Sequence, residues 1–168
     1  MKFPARTLLA CCIAGTAIPA HADESAFLQF FNGKFTGKGS VQVTTSAPSV
    51  NVSCNFNSGS TSNSLSLDGS CRGLVVFSRQ IAARLKVDGS RYSGTYIGSR
   101  TGPAGLSGSR RGNAINLTIR WAKEVNGDRK AQLTVQKIGS RGMRLTVTDF
   151  DPAKKRNVVT SRIDLNRV

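Results

Sequence analysis

Apolar and polar residues alternate along most of this chain with a period of two. From Phe31 to Val43 the odd positions are Phe31, Gly33, Phe35, Gly37, Gly39, Val41 and Val43. The even positions between them are Asn, Lys, Thr, Lys, Ser and Gln. That period belongs to a strand with one dry face and one wet face. Glycine at inner positions lets a strand bend sharply and lets another backbone approach closely. The first strand of a small closed barrel needs both properties.

The same pattern recurs down the chain. Val50, Val52, Cys54 and Phe56 form one run, and Leu65, Leu67, Gly69, Cys71 and Gly73 form the next. Ile81, Ala83, Leu85 and Val87 lead to a hairpin signal at Asp88-Gly89. Tyr92, Gly94, Tyr96 and Gly98 share a face. The glycine-rich segment 102–112 lacks a Gly-Lys-Ser/Thr ending and a following helix, so it is a loop, a short strand and a turn, not a phosphate loop. Ile115, Leu117, Ile119 and Trp121 face in, as do Ala131, Leu133 and Val135, then Met143, Leu145 and Val147. Asp149-Phe150-Asp151-Pro152 opens a turn with a basic loop. The last strand places Val159, Ser161, Ile163 and Leu165 inside and Thr160 outside. The fold expected is all-β: a single antiparallel up-and-down barrel of about eight to ten strands, joined by hairpin-length turns. A short helix over Asp23–Phe30, with Phe27, Phe30 and Phe31 on one face, is placed to plug its base.

The first residues stand apart from this pattern. Lys2 and Arg6, the small apolar stretch Thr7–Pro19 and Ala20-His21-Ala22 fit a secretory signal peptide cut after Ala22. The domains expected are a signal peptide, 1–22, and a β-barrel, 23–168, in a periplasmic or secreted protein. A competing reading takes Leu8-Leu9-Ala10-Cys11 as a lipobox, with a lipoprotein acylated at Cys11. The apolar run is too short for a spanning helix, which needs about 20 residues.

Charge and cysteine content narrow the function. The chain has 24 Lys and Arg against 9 Asp and Glu; without Lys2 and Arg6 the count is 22 against 9, a net of +13. Such an excess draws anionic partners from a distance. An exported chain meets lipopolysaccharide, anionic lipid or acidic polysaccharide before nucleic acid, so no nucleic-acid partner is expected. The only histidine, His21, leaves with the signal, which removes Ser-His and Cys-His chemistry and imidazole metal ligation. Two cysteines remain. Setting Cys54 opposite Cys71 pairs Phe56 with Gly69, and both thiols then fall on the apolar face. In an oxidising compartment this predicts a Cys54–Cys71 disulfide worth about 3 kcal/mol in the chain-entropy model.

Gly33-Lys34-Phe35, early in the first strand, resembles the Gly-x-Trp motif of the calycin superfamily, which includes lipocalins, fatty-acid-binding proteins and avidins. The chain is also similar to small exported alphaproteobacterial proteins. The calycin resemblance implies a ligand-holding barrel. It further implies a last-strand cation packed over the aromatic residue, with Arg162 or Arg167 set against Phe35.

Three functions are open to such a chain. In a binding protein, Tyr92, Tyr96 and Trp121 would line a cavity and Arg110 would anchor an acidic group of a small amphipathic or anionic ligand. In an envelope interaction protein, the run Lys154-Lys155-Arg156 would dock to an anionic polymer or lipid. An enzyme is disfavoured, because most acids lie in turns or beside Gly, Asn or Pro, where they serve turn geometry. No catalytic residue, metal or cofactor is expected.

Overall fold

The computed structural model describes residues 20–73 and 77–168. The expected leader lies outside them except for positions 20–22; Cys11 and the lipobox lie outside them entirely. Helix α1 (Ala20–Gln29) precedes ten strands: β1 (Gly33–Val41), β2 (Val50–Ser60), β3 (Ser64–Gly73), β4 (Phe77–Asp88), β5 (Arg91–Ile97), β6 (Ala104–Arg111), β7 (Ala114–Val125), β8 (Asp128–Ile138), β9 (Gly142–Asp151) and β10 (Arg156–Arg167). Each strand pairs antiparallel with its neighbours in sequence, and β1 pairs with β10 to close the barrel.

Inner positions carry the core, from Phe35 on β1 through Leu65, Leu106, Ile119 and Val135 to Leu165 on β10, all nearly or fully buried. Outer positions carry cations such as Lys38, Arg72, Arg120 and Arg162, which are exposed. An apolar interior with a charged exterior is the reverse of a lipid-facing barrel. Among the described residues, no helix is long and apolar enough to cross a membrane.

Inner glycines permit the closure. A Cβ on Gly37 would fall 1.9 Å from the carbonyl oxygen of Asp164 on β10, and one on Gly94 would fall 1.8 Å from that of Arg84 on β4. Any side chain there would force adjoining strands apart. Cys54 pairs with Cys71 and Phe56 with Gly69, in the expected register, and the two sulfurs are bonded.

Two expectations are corrected near the end of the chain. The register of β10 shifts between Val159 and Ser161. Thr160 is the extra residue, so Val159 points outward, 51% exposed, while Thr160 is buried. A bulge of one residue reverses which face its neighbours occupy. The segment 149–151 is the end of β9, not part of the turn. Asp149 and Asp151 continue the inward series of Met143 and Leu145 and are buried, while Phe150 faces out.

Up-and-down topology gives the barrel two unlike ends. Helix α1 runs directly into β1, so it sits beside the β2–β3, β4–β5, β6–β7 and β8–β9 turns and the C-terminus. Phe27, Leu28 and Phe31 are buried against this end, with edge-to-face contacts from Phe31 to both Phe27 and Phe30. The other end, framed by the β1–β2, β5–β6, β7–β8 and β9–β10 loops, has no such plug among the described residues.

Candidate functional site

The unplugged half of the barrel holds a cavity of about 370 Å³ with a mainly apolar wall. Its side chains come from inner positions near the strand ends: Ile81, Tyr96, Trp121, Val147 and Ile163, with Val41 and Val52 beyond them. Tyr96 meets Trp121 edge to face, ring centroids 5.9 Å apart. The volume lies at the lower end of the range for small-molecule sites, about 300–1,000 Å³.

The expected ligand-binding residues divide between the two ends. Tyr96 and Trp121 line the cavity. Tyr92 shares a face with Tyr96, but four strand residues separate them, about 13 Å at roughly 3.3 Å each. Tyr92 therefore lies under the plug, where its hydroxyl donates to Glu24. Arg110 lies there too. Its guanidinium pairs with Asp23, reaches Glu24 at 2.9 Å from Nε, and stacks 4.5 Å from the Phe27 ring. Burial opposes the Arg110 charge, but the hydrogen bonds and charges of Asp23 and Glu24 outweigh it and raise its pKa. Burial, reinforced by Glu24, pushes the Tyr92 phenol up, against a smaller opposing pull from Arg110. Tyr92 and Arg110 thus hold the plug and do not reach the cavity.

The plug is also tied to the last strand. Arg167 donates to the carbonyl of Phe30, and its guanidinium lies 5.3 Å from the Phe35 ring centroid and 5.6 Å from that of Phe30. Arg167, not Arg162, occupies the position over Phe35; Arg162 is exposed on the outer face. Lys137 covers Phe30 from another side, 4.4 Å from its centroid.

Among the described residues, four charged ones line the cavity and none was expected there: Arg100 and Glu124, which are exposed, and the inward-facing Arg79 and Asp149. Arg79 sits at an inner position of β4, opposite Cys71, and donates to the carbonyl of Gly98 at 2.5 Å. Asp149 accepts a hydrogen bond on Oδ2 from the Thr160 hydroxyl. Burial raises the Asp149 pKa and the charge of Asp128 adds to this, while Thr160 and Asn126 pull it back. Tyr96 lies within the fields of both charged groups. Its pKa is raised by burial and by Asp149 and opposed by Arg79. Strict alternation from Met143 would have placed Asp149 inside, and alternation from Ile81 backwards would have placed Arg79 there.

The basic run is exposed at the open end, with Lys154 and Lys155 in the β9–β10 turn and Arg156 opening β10. Asp151 caps this turn by accepting from the backbone N–H groups of Ala153 and Lys154, each at 3.0 Å, and Lys154 Nζ lies 3.3 Å away. The Lys154 backbone bond is the main cause of a lowered Asp151 pKa. A separate cationic group forms on the outer wall, where Lys38, Arg72 and Arg162, together with Asp164, which is paired to Arg144, line an open depression of about 700 Å³ across β10, β1, β2 and β3.

No family model and no curated protein matches this chain. Among solved structures it is similar to the crystal structure of Rv2717c from M. tuberculosis, with a TM-score of 0.66 and 12% sequence identity, covering 90% of this chain and 98% of that one. At that identity the likeness is one of fold.

Proposed function

We propose that this chain is an exported, non-catalytic binding protein whose calycin-like barrel holds one small amphipathic ligand in its open half. The observation that carries this reading is the asymmetry of the interior: α1 fills one end, and the other retains a largely apolar cavity with Tyr96 and Trp121 in its wall. Sites of this kind combine an apolar wall with a few polar groups. The Cys54–Cys71 bond suits an oxidising compartment. The stacking of Arg167 on Phe35 matches the arrangement implied by the calycin resemblance. Of the buried acids on β9, Asp151 is committed to its turn and Asp149 is bonded to Thr160.

The test is a thermal-shift screen of small amphipaths, with native mass spectrometry of the hits, on the wild type and on Val147→Trp, which fills the cavity. A ligand in large excess over its Kd should raise the wild-type melting point by several degrees and leave Val147→Trp unmoved. No hit from a broad screen, or equal shifts in the filled variant, would sink the proposal.

A second reading is supported by the outer-wall cations. Lys38, Arg72 and Arg162 converge from three separate strands, a cluster suited to a lipopolysaccharide phosphate or an acidic polysaccharide. Binding of this kind weakens steeply with salt. Charge reversal at these three positions should abolish it, and reversal at Lys154, Lys155 and Arg156 tests the loop as the competing contact.

A further inference from the structure

Buried polar side-chain atoms are nearly always hydrogen-bonded, and an orphan costs stability. Among the described residues, six such atoms have no partner, and three belong to the cavity wall: Gln42 Oε1, Trp121 Nε1 and Asp149 Oδ1. Unmade bonds are therefore concentrated where a ligand would sit. Two of the three are acceptors, and one of these is a carboxylate oxygen. Asp149 is only 3% exposed. Thr160 on β10 satisfies its other oxygen, and the β7–β8 turn presents Asn126 and Asp128 nearby. Asn126 favours the charged form without satisfying Oδ1. The bulge that turns Thr160 inward holds the carboxyl by one oxygen and leaves the second without a bond.

We propose that Asp149, held by Thr160, is the polar anchor of the cavity and selects ligands that carry a hydrogen-bond donor, an ammonium or a hydroxyl, on an apolar body. The inference rests on the cavity reading above and deepens it. An ammonium brings donors and a charge opposite to the carboxylate. A hydroxyl donates to Asp149 and can also accept from Trp121. A carboxylate head brings like charge to a buried acid and leaves Oδ1 unsatisfied. Arg79, which donates to the carbonyl of Gly98, and Arg100 keep their positive charges in the same wall, so a carboxylate head could bind only by turning toward them and away from Asp149.

The chain has one tryptophan, and it lies in the cavity wall, so its fluorescence reports occupancy directly. The test titrates octylamine, octanol and octanoate, below their aggregation limits at pH 7, into wild type, Asp149→Asn and Thr160→Val. In the wild type the amine or the alcohol should bind roughly tenfold or more tighter than the acid, the range for a hydrogen bond to a charged group. Asp149→Asn should remove the amine's advantage over the acid while retaining binding of the chain. Thr160→Val, which frees the carboxyl without removing it, should narrow the preference. Circular dichroism verifies that each variant is folded. Octanoate binding as tightly as both donors, or a preference that survives Asp149→Asn, overturns this assignment alone. Failure of all three compounds to bind the wild type overturns the cavity reading and this inference with it.

Discussion

Arg167 and Phe35 are direct partners across the β1–β10 seam, and the guanidinium lies 5.3 Å from the ring centroid. The contact joins the first strand to the last. Through the Phe30 carbonyl it also joins the plug to both. Replacing Arg167 with alanine removes the stacking, a charge-assisted hydrogen bond and the apolar stem beside Gly33. We expect a loss of about 2–4 kcal/mol, read as a lower urea midpoint at unchanged m. Arg167→Lys should recover only part of it, because an ammonium cannot stack and donate in the same way.

Barrel closure makes a sharp distinction among the glycines. Gly94→Ala drives a Cβ onto a backbone carbonyl and should cost about 3 kcal/mol or more. At Gly105 the nearest atom is 4.0 Å away, on the Arg120 side chain. Gly105→Ala should be neutral or slightly stabilising. Comparable losses at both positions would refute the assignment of Gly94 to a close strand approach.

Reduction of Cys54–Cys71 releases a loop with a sequence separation of 17. Urea unfolding with and without a reductant should differ by about 3 kcal/mol. The oxidised native protein should take up no iodoacetamide at either cysteine.

Alkaline titration tests the two tyrosines, whose pKa values are both raised by burial. A raised folded-state pKa means that each neutral phenol's contribution to stability is fully present below the ordinary value near 10 and is lost as pH rises through the folded value. Tyrosinate absorbance should therefore stay absent through pH 10 and appear together with unfolding. Appearance of phenolate near pH 10 in the folded protein would contradict the buried positions of Tyr92 and Tyr96.

Asp149 has the same sign of shift. Its folded pKa lies above the ordinary carboxylate range, so its neutral form favours the fold at low pH and that contribution disappears as pH rises through the folded value. Asp149→Asn keeps an acceptor for Thr160 and removes the buried charge. It should melt higher than the wild type at pH 7 and gain less at pH 3. A residue kept for packing alone would lose stability on this change at both values.

Much of the barrel was legible in the residue order because a period of two is a local property. The inward faces of β2, β3, β7 and β8, the Cys54–Cys71 register and the turn at Asp88-Gly89 all follow from neighbours within a hairpin. The same rule turns Arg79 and Asp149 inward; at Asp149 the nearby turn residues Asp151 and Pro152 mask it. The β10 bulge was not legible. One unpaired residue at Thr160 exchanges the faces of Val159 and Thr160, and only the pairing with β9 reveals it.

The order of residues by itself determined a closed antiparallel ribbon with a dry inside, a cationic outside and one cross-link. Tertiary structure alone decided that Tyr92 and Arg110 serve the plug while Tyr96 and Trp121 face open space, and that Asp149 meets Thr160. Alternation specifies a side chain's face. Its depth along the barrel and its partners depend on contacts between residues far apart in the chain, which form only once the first and last strands have joined.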